Sequence, residues 1–349
     1  MYEQYEPLPS TRWPLEDALE VLYQNGLKPE SNTLSKLHGG IEFQVYCARI
    51  ADGRGIVFKY PSERWVYNDN DWGIDRFQLL RQERDLLRFA GEHGIPVPEV
   101  IAYFDPQDGP VVLVLEQINV DGTLPSDTEI GETVRRLHAL SPPALYTVAQ
   151  GTQVPSSRIA ELMARRLNVI ERLTENLPWR PTVEELDRLL APINIDARLL
   201  HMDLRRANYL CRRNRLMGLI DWSNALIAAP MLELARIAEY GGLSPAFAIG
   251  YKLTSDMTAA LDRETGLACR LYTAVMLCVL FLAQCRLPDQ AERQISRLKE
   301  LLGRLEEYGC NLTPTLLDKI QTDQAWMIID GEEESTDLYT GPFQTEGTE

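Results

Sequence analysis

The segment from Leu199 to Trp222 constrains this chain more than any other. A short apolar run ends at His201, and Asp203 and Asn208 follow with the spacing H-x-D-x-x-x-x-N. Tyr209-Leu210-Cys211, a polar turn around Arg213-Asn214, and Leu216 to Ile220 then read as a β-hairpin. The hairpin closes on Asp221-Trp222, thirteen residues after Asn208. Folding back places Asn208 and Asp221 at neighbouring strand ends, where one metal ion can touch both. A carboxylate at Asp203 can orient a hydroxyl group and take its proton. The amide oxygen of Asn208 and the carboxylate of Asp221 are hard ligands suited to Mg²⁺. Those parts are what phosphoryl transfer from MgATP requires.

The region before residue 116 reads mainly as strands. Thr33 to Leu37, Phe43 to Ile50 and Ile56 to Tyr60 are rich in β-branched and aromatic residues, and Asp52-Gly53 supplies a hairpin turn. Gly39 and Gly40 end the first run and would let backbone N–H groups approach phosphate oxygens, although most Gly-Gly pairs are ordinary turns. Neither a G-x-G-x-x-G nor a G-x-x-x-x-G-K-[ST] pattern is present, so dinucleotide-fold and P-loop readings lack their fingerprints. Lys59 follows Ile56-Val57-Phe58, and a strand lysine by default faces solvent. Residues 75–90 alter that reading. They form a helical pattern with Phe77, Leu80 and Leu87 on one face, and Glu83 lies on the same stripe. A glutamate there is expensive to bury without a cationic partner. Glu92 and Glu99 read as surface carboxylates. The helix ends by Gly94, ahead of Ile95-Pro96-Val97-Pro98. Val100 to Phe104 and Val111 to Leu115 then complete a five-stranded antiparallel sheet.

From about residue 128 the period becomes helical. Ile130, Val134 and Leu137 share an apolar face, with His138 packed at the end of that helix. Residues 156–176 and 182–191 read as further helices, the first with several arginines on its outer face. Leu271 to Ala283 is almost wholly apolar and, at thirteen residues, suits a buried helix and not a bilayer span.

The pair H-x-D-x-x-x-x-N and L-I-D-W, with the order Gly-Gly, strand lysine, helix glutamate, G-I-P-V-P and L-E, resembles the aminoglycoside phosphotransferase and choline kinase-like family. That resemblance implies an α+β, two-lobe protein-kinase-like fold. Its N-terminal lobe (1–115) would bind nucleotide with a five-stranded antiparallel sheet plus a helix. A larger, mainly helical lobe (116–330) would carry the catalytic hairpin and bind the acceptor. By composition alone, 331–349 reads as an acidic, disordered tail. The resemblance further implies ATP and Mg²⁺ as cofactors, with Asp203 as proton acceptor, Asn208 and Asp221 as metal ligands, and Gly39 and Gly40 against the phosphates. Lys59, paired with Glu83, would reach the α- and β-phosphates. Glu116 and Ile118 would hold adenine through their backbone. Arg205 stands where protein kinases carry a lysine facing the γ-phosphate; a surface arginine is an equal reading. His201 would brace the loop. Three positions depart from the family pattern. Met202 replaces a glycine, Ser223 stands where an acidic residue is common, and Ala228-Ala229-Pro230 replaces G-D-P, with Glu233 near another acidic position.

Bulk properties narrow the function classes. The net charge of −16 argues against general nucleic-acid binding and leans towards a cationic acceptor. Part of it is local, because residues 331–349 hold six acidic side chains and no Lys or Arg. Cysteines 47, 211, 269, 278, 285 and 310 show no C-x-x-C, which suits reduced thiols in the cytoplasm, and the polar N-terminus has no signal-peptide pattern. The expected activity is transfer of the γ-phosphate of ATP to a hydroxyl of a small molecule, with no membrane partner and an open oligomeric state. A nucleotide-binding pseudokinase and an acid-activating enzyme that forms an acyl phosphate are the alternatives. A protein kinase is disfavoured because no A-P-E segment follows Asp221.

Overall fold

Period-two alternation in the first lobe decides which side chains meet across its sheet. The computed structural model describes residues 11–310 apart from Gly40, Ile41, Tyr146, Asn176 and Pro178, so the segment 331–349 lies outside the described residues. A helix, α1 (Leu15–Gln24), precedes strands β1 (Ser35–Gly39), β2 (Gln44–Arg49) and β3 (Gly55–Tyr60). Ile56, Phe58 and Tyr60 of β3 pack on Ala18, Val21 and Leu22 of α1. A short hairpin follows, β4 (Trp65–Tyr67) and β5 (Trp72–Asp75), and leads into α2 (Arg76–Glu92). Strands β6 (Val100–Phe104) and β7 (Val112–Glu116) complete an antiparallel sheet of order β1-β2-β3-β7-β6. Val112 and Val114 join the α1 side, while Leu113 and Leu115 join Leu79, Leu80, Leu86 and Leu87 of α2 on the other. Helices on both faces leave the central strands no solvent side. Lys59, on the face opposite Phe58, is therefore turned towards α2 and only 8% exposed.

Helix α2 starts where Asp75 accepts the Phe77 N–H and ends before Gly94, whose φ of +72° the missing Cβ permits. Gln82, on its buried face, donates to the Trp222 carbonyl at 2.7 Å and accepts from the Val148 N–H at 2.6 Å. The helix that carries Glu83 is thereby tied to the segment that follows Asp221.

The second lobe is mainly helical. It begins with α3 (Asp127–His138), capped by Ser126, then α4 (Pro155–Thr174) and α5 (Val183–Leu190), the last with a Thr182–Glu185 capping box. Strand β8 (Arg198–Leu200) precedes the catalytic loop, the hairpin β9 (Tyr209–Arg212) and β10 (Arg215–Leu219) follows it, and β11 (Leu226–Ala228) returns to pair with β8. Helices α6 (Met231–Gly241), α7 (Pro245–Tyr251), α8 (Ser255–Ala260), α9 (Glu264–Val279) and α10 (Pro288–Cys310) complete the described chain. Residues up to Leu305 form one compact unit, and a second begins at Glu306.

Two expectations need correction. The apolar run at Leu271 lies in a longer helix that continues through a π-turn to Gln284; its 21 residues could cross a bilayer by length, yet 67% of its most apolar stretch is buried in the fold. The arginines of α4 do not all face outward. Arg166 is 4% exposed, because the β4–β5 turn lies over it and places the Asn70 carbonyl 3.2 Å from its Nη2.

Candidate active site

The strand and helix periods converge on one ion pair. Lys59 Nζ lies 2.6 Å from Glu83 Oε2 and 3.7 Å from Asp221 Oδ1, and it sits 4.4 Å from the centroid of the Phe43 ring. Burial works against the ammonium, but Glu83 and Asp221 outweigh it and hold the Lys59 pKa above its ordinary value. Asp221, at φ +66°, carries a depressed pKa. Burial opposes this, while Lys59 and the Ser223 hydroxyl, 3.0 Å from Oδ1, favour the carboxylate. Ser223, where the family often has an acid, thus supports the Asp221 carboxylate by donation.

The loop that carries Asp203 is held by backbone contacts. His201 Nε2 lies 3.1 Å from the Ile220 carbonyl, and its Nδ1 lies 3.2 Å from the Asp203 N–H. That network assigns the neutral Nε2–H tautomer, and full burial pushes the imidazole pKa down. Both ring nitrogens are committed to the loop, so His201 braces it as expected. Asp203 is 3% exposed. Its Oδ2 accepts from Asn208 Nδ2 at 2.8 Å and from Arg205 Nε at 3.1 Å, while among the described residues Oδ1 meets only the Tyr240 hydroxyl, at 3.4 Å. Since the Asn208 nitrogen turns to Asp203, its amide oxygen is left for another ligand. Half the Arg205 side chain is exposed.

The remaining expected positions sit along the first lobe. Gly39 pairs with Gln44 at the end of the β1–β2 ladder, and Gly40 lies outside the described residues. Glu116 pairs with Ile56 in the sheet, and its Oε1 accepts the Glu99 N–H. The Ile118 N–H meets no acceptor among the described residues. A side chain at Gly218 would press on the Ile118 Cδ1 at 3.1 Å, so a glycine there lets the hairpin lie close beneath Ile118.

Several contributors were not anticipated, and Glu233 was noted only for standing near an acidic family position. Glu233 of α6 is 1% exposed and accepts from His138 Nε2 at 2.8 Å, from the His201 N–H at 3.3 Å and, in a very short contact, from the Met202 N–H. Burial would raise its pKa, but these donors and the two histidines bring it below the ordinary value. Its signal was available: like Glu83, it is a carboxylate flanked by apolar helix residues. Glu42, between β1 and β2, has its pKa pushed up to about 7 by burial and by Asp221 and Asp71, against the pull of Lys59. Tyr240 reaches Asp203 from α6, with Arg236 bonded to Tyr240 behind it, and neither gave a sequence pattern.

Comparison with known proteins bears on the family and the fold. The model of the phosphotransferase enzyme family matches residues 33–264. No curated protein matches the chain by sequence. Among solved structures, a candidate fructosamine-3-kinase from Haemophilus somnus superposes with a TM-score of 0.59 at 16% identity, over 84% of this chain and 98% of its own. The aminoglycoside phosphotransferase APH(2")-IIIa, in complex with GDP and kanamycin, gives 0.54 at 17% identity over 83% and 99%. A macrolide 2'-phosphotransferase from Brachybacterium faecium gives 0.50 at 18% identity over 81% and 97%. These similarities carry the two-lobe kinase-like fold, and the family match covers both the Lys59–Glu83 pair and the catalytic hairpin. The chain belongs to the phosphotransferase enzyme family.

Proposed function

We propose that this protein is a small-molecule kinase that transfers the γ-phosphoryl group of MgATP to a hydroxyl group. The observation that carries this reading is the convergence of Asp203, Asn208 and Asp221 opposite the buried Lys59–Glu83 pair. The donor set fits Mg²⁺. It offers a carboxylate and an amide oxygen, and the described residues hold no cluster of three or more His, Cys, Asp or Glu that would bind a metal unaided. Asn208 and Asp221 would hold the ion, which would supply charge to neutralise the phosphates.

Asp203 Oδ2 is occupied by Asn208 and Arg205, which leaves Oδ1 to accept the hydroxyl proton. The acceptor oxygen forms its bond to the γ-phosphorus, the bond to the β,γ-bridging oxygen breaks, and ADP departs. Lys59 offers fixed positive charge to the α- and β-phosphates, and Arg205 offers mobile charge to the γ-phosphate. Gly39, Gly40 and the Glu116–Ile118 backbone support the phosphates and adenine. We assign nucleotide binding to residues 1–115 and acceptor binding to 116–330, and a cytoplasmic location, which the free described cysteines suit.

The test is transfer of γ-labelled phosphate from MgATP into a small-molecule pool, with Asp203→Ala alongside. Label entering product only with the intact protein supports the reading. MgATP binding without transfer would favour the pseudokinase alternative, and a hydroxylamine-labile product the acyl-phosphate one.

A further inference from the structure

A buried guanidinium with unused donors stands on the acceptor side of the catalytic carboxylate. Arg236, from α6, is 4% exposed, and its Nε donates to the Tyr240 hydroxyl at 3.0 Å. Tyr240 in turn donates to Asp203 Oδ1 at 3.4 Å, the oxygen that Asn208 and Arg205 leave open. Among the described residues no carboxylate comes within ion-pair distance of Arg236, and its two Nη groups meet no acceptor. Neither Nη is among the polar atoms sealed from solvent, so both face accessible space. The Asp203 carboxylate and the Tyr240 and Tyr272 hydroxyls nonetheless lie near enough to raise its pKa despite burial. Tyr272 connects it to a second buried arginine. Arg166 of α4 sits 5.6 Å from the Tyr272 ring centroid, and only its Nη2 has partners, Asn70 and, at 3.6 Å, Asp71. Its Nε and Nη1 have none among the described residues.

Asp203 offsets the charge of Arg236 without a direct contact, so its two Nη donors stay free, and a planar fork of that kind matches a carboxylate or phosphate. We propose that Arg236, with Tyr240, forms an anion subsite beside Asp203, so that the acceptor is a hydroxyl compound bearing a carboxylate or phosphate group. This inference rests on the kinase reading above and refines it. It reverses the lean towards a cationic acceptor drawn from net charge, because local charge beside the reacting oxygen decides orientation while net charge acts at long range.

The test separates a metabolite extract on anion and cation exchangers and assays each fraction for label transfer from γ-labelled MgATP. The expected acceptor is retained by the anion exchanger at neutral pH. Phosphatase pretreatment of the extract abolishes it if the group is a phosphate monoester and spares a carboxylate. Acceptor activity only in the neutral or cationic fractions overturns the subsite while leaving the kinase reading intact. Absence of transfer from every fraction overturns both. With the active fraction, Arg236→Met should raise the acceptor KM by about tenfold at unchanged ATP KM, with Arg236→Lys intermediate. A fall in kcat with a displaced pH profile and unchanged acceptor KM would instead make Arg236 a positioning residue for Tyr240, and the subsite would be rejected.

Discussion

His138 Nε2 lies 2.8 Å from the Glu233 carboxylate, which also receives the backbone N–H groups of His201 and Met202. One side chain of α6 thus joins the end of α3 to the loop that presents Asp203. The remaining ring nitrogen of His138 meets the Tyr251 hydroxyl at 2.8 Å. Tyr251 can approach because a Cβ at Gly250 would collide with the Thr128 carbonyl, so α3 and α7 pack backbone to backbone.

Glu233→Ala should therefore cost stability and activity together. It leaves two loop N–H donors and an imidazole buried without an acceptor, at a cost of about 3 kcal/mol. Glu233→Gln should lie between it and the parent, since its oxygen replaces one acceptor and its NH₂ opposes another donor. Thermal unfolding with label transfer checks this. An Ala variant that unfolds at the parental temperature would show that the loop does not depend on Glu233.

The Lys59–Glu83 pair makes a sharper prediction, because each partner covers the cost of the other. Lys59→Met should destabilise by about 3 kcal/mol, since Glu83 is left buried with no cation. Adding Glu83→Gln should recover much of that loss, giving a coupling of about 2 kcal/mol in a double-mutant cycle. Nucleotide affinity should not recover, since the ammonium is absent from both. Unfolding and MgATP titration on the four proteins decide it. Additive stability effects would mean that the 2.6 Å contact contributes nothing beyond its two separate residues.

How far the sequence reached depended on the separation of the interacting parts. The Lys59–Glu83 contact was readable because an apolar helix stripe leaves Glu83 in need of a cation and the family resemblance supplies Lys59, against the solvent-facing default of a strand lysine. Asn208 and Asp221 were readable because a hairpin alone brings them together. Helix α1 and the β4–β5 hairpin were missed. The first follows a proline-flanked segment, and the second has strands of three and four residues around an Asn- and Asp-rich turn. That omission also misplaced Arg166, whose burial comes from the turn at Asn70, 96 residues earlier in the chain. Tyr240 and Arg236 approach Asp203 only after α6 packs, so no local pattern announces them. Glu233 is different. The reasoning applied to Glu83 covers it, and its flanking apolar residues were visible.

Met202 gives a prediction in which two effects oppose each other. It holds φ +62° in a position where the family carries glycine, yet its side chain is 1% exposed. Met202→Gly would relieve about 1 kcal/mol of left-handed strain. It would also empty a buried site, at a cost of about 2–5 kcal/mol. Burial should win, so the glycine variant should melt below the parent. A higher melting temperature would mean that strain at this residue exceeds its packing.

Acid sensitivity should trace in part to Glu239, a nearly buried carboxylate gripped by two arginines. Arg270 Nε lies 2.5 Å from Oε1, Arg297 Nη2 lies 2.8 Å from the same oxygen, and Arg297 Nε lies 2.9 Å from Oε2. Burial pushes its pKa up, but hydrogen bonds from Arg297 and Arg270 prevail, and the folded-state value falls below the ordinary one. A depressed folded pKa means that the contribution is complete above the unfolded pKa, about 4.3, and is lost as pH falls through the folded value. Glu239→Gln should therefore lower the melting temperature at pH 7 and narrow its deficit as pH falls below about 4. A deficit that stays constant from pH 7 to pH 3 would assign the loss to packing of the amide and remove ionisation of Glu239 from the acid response.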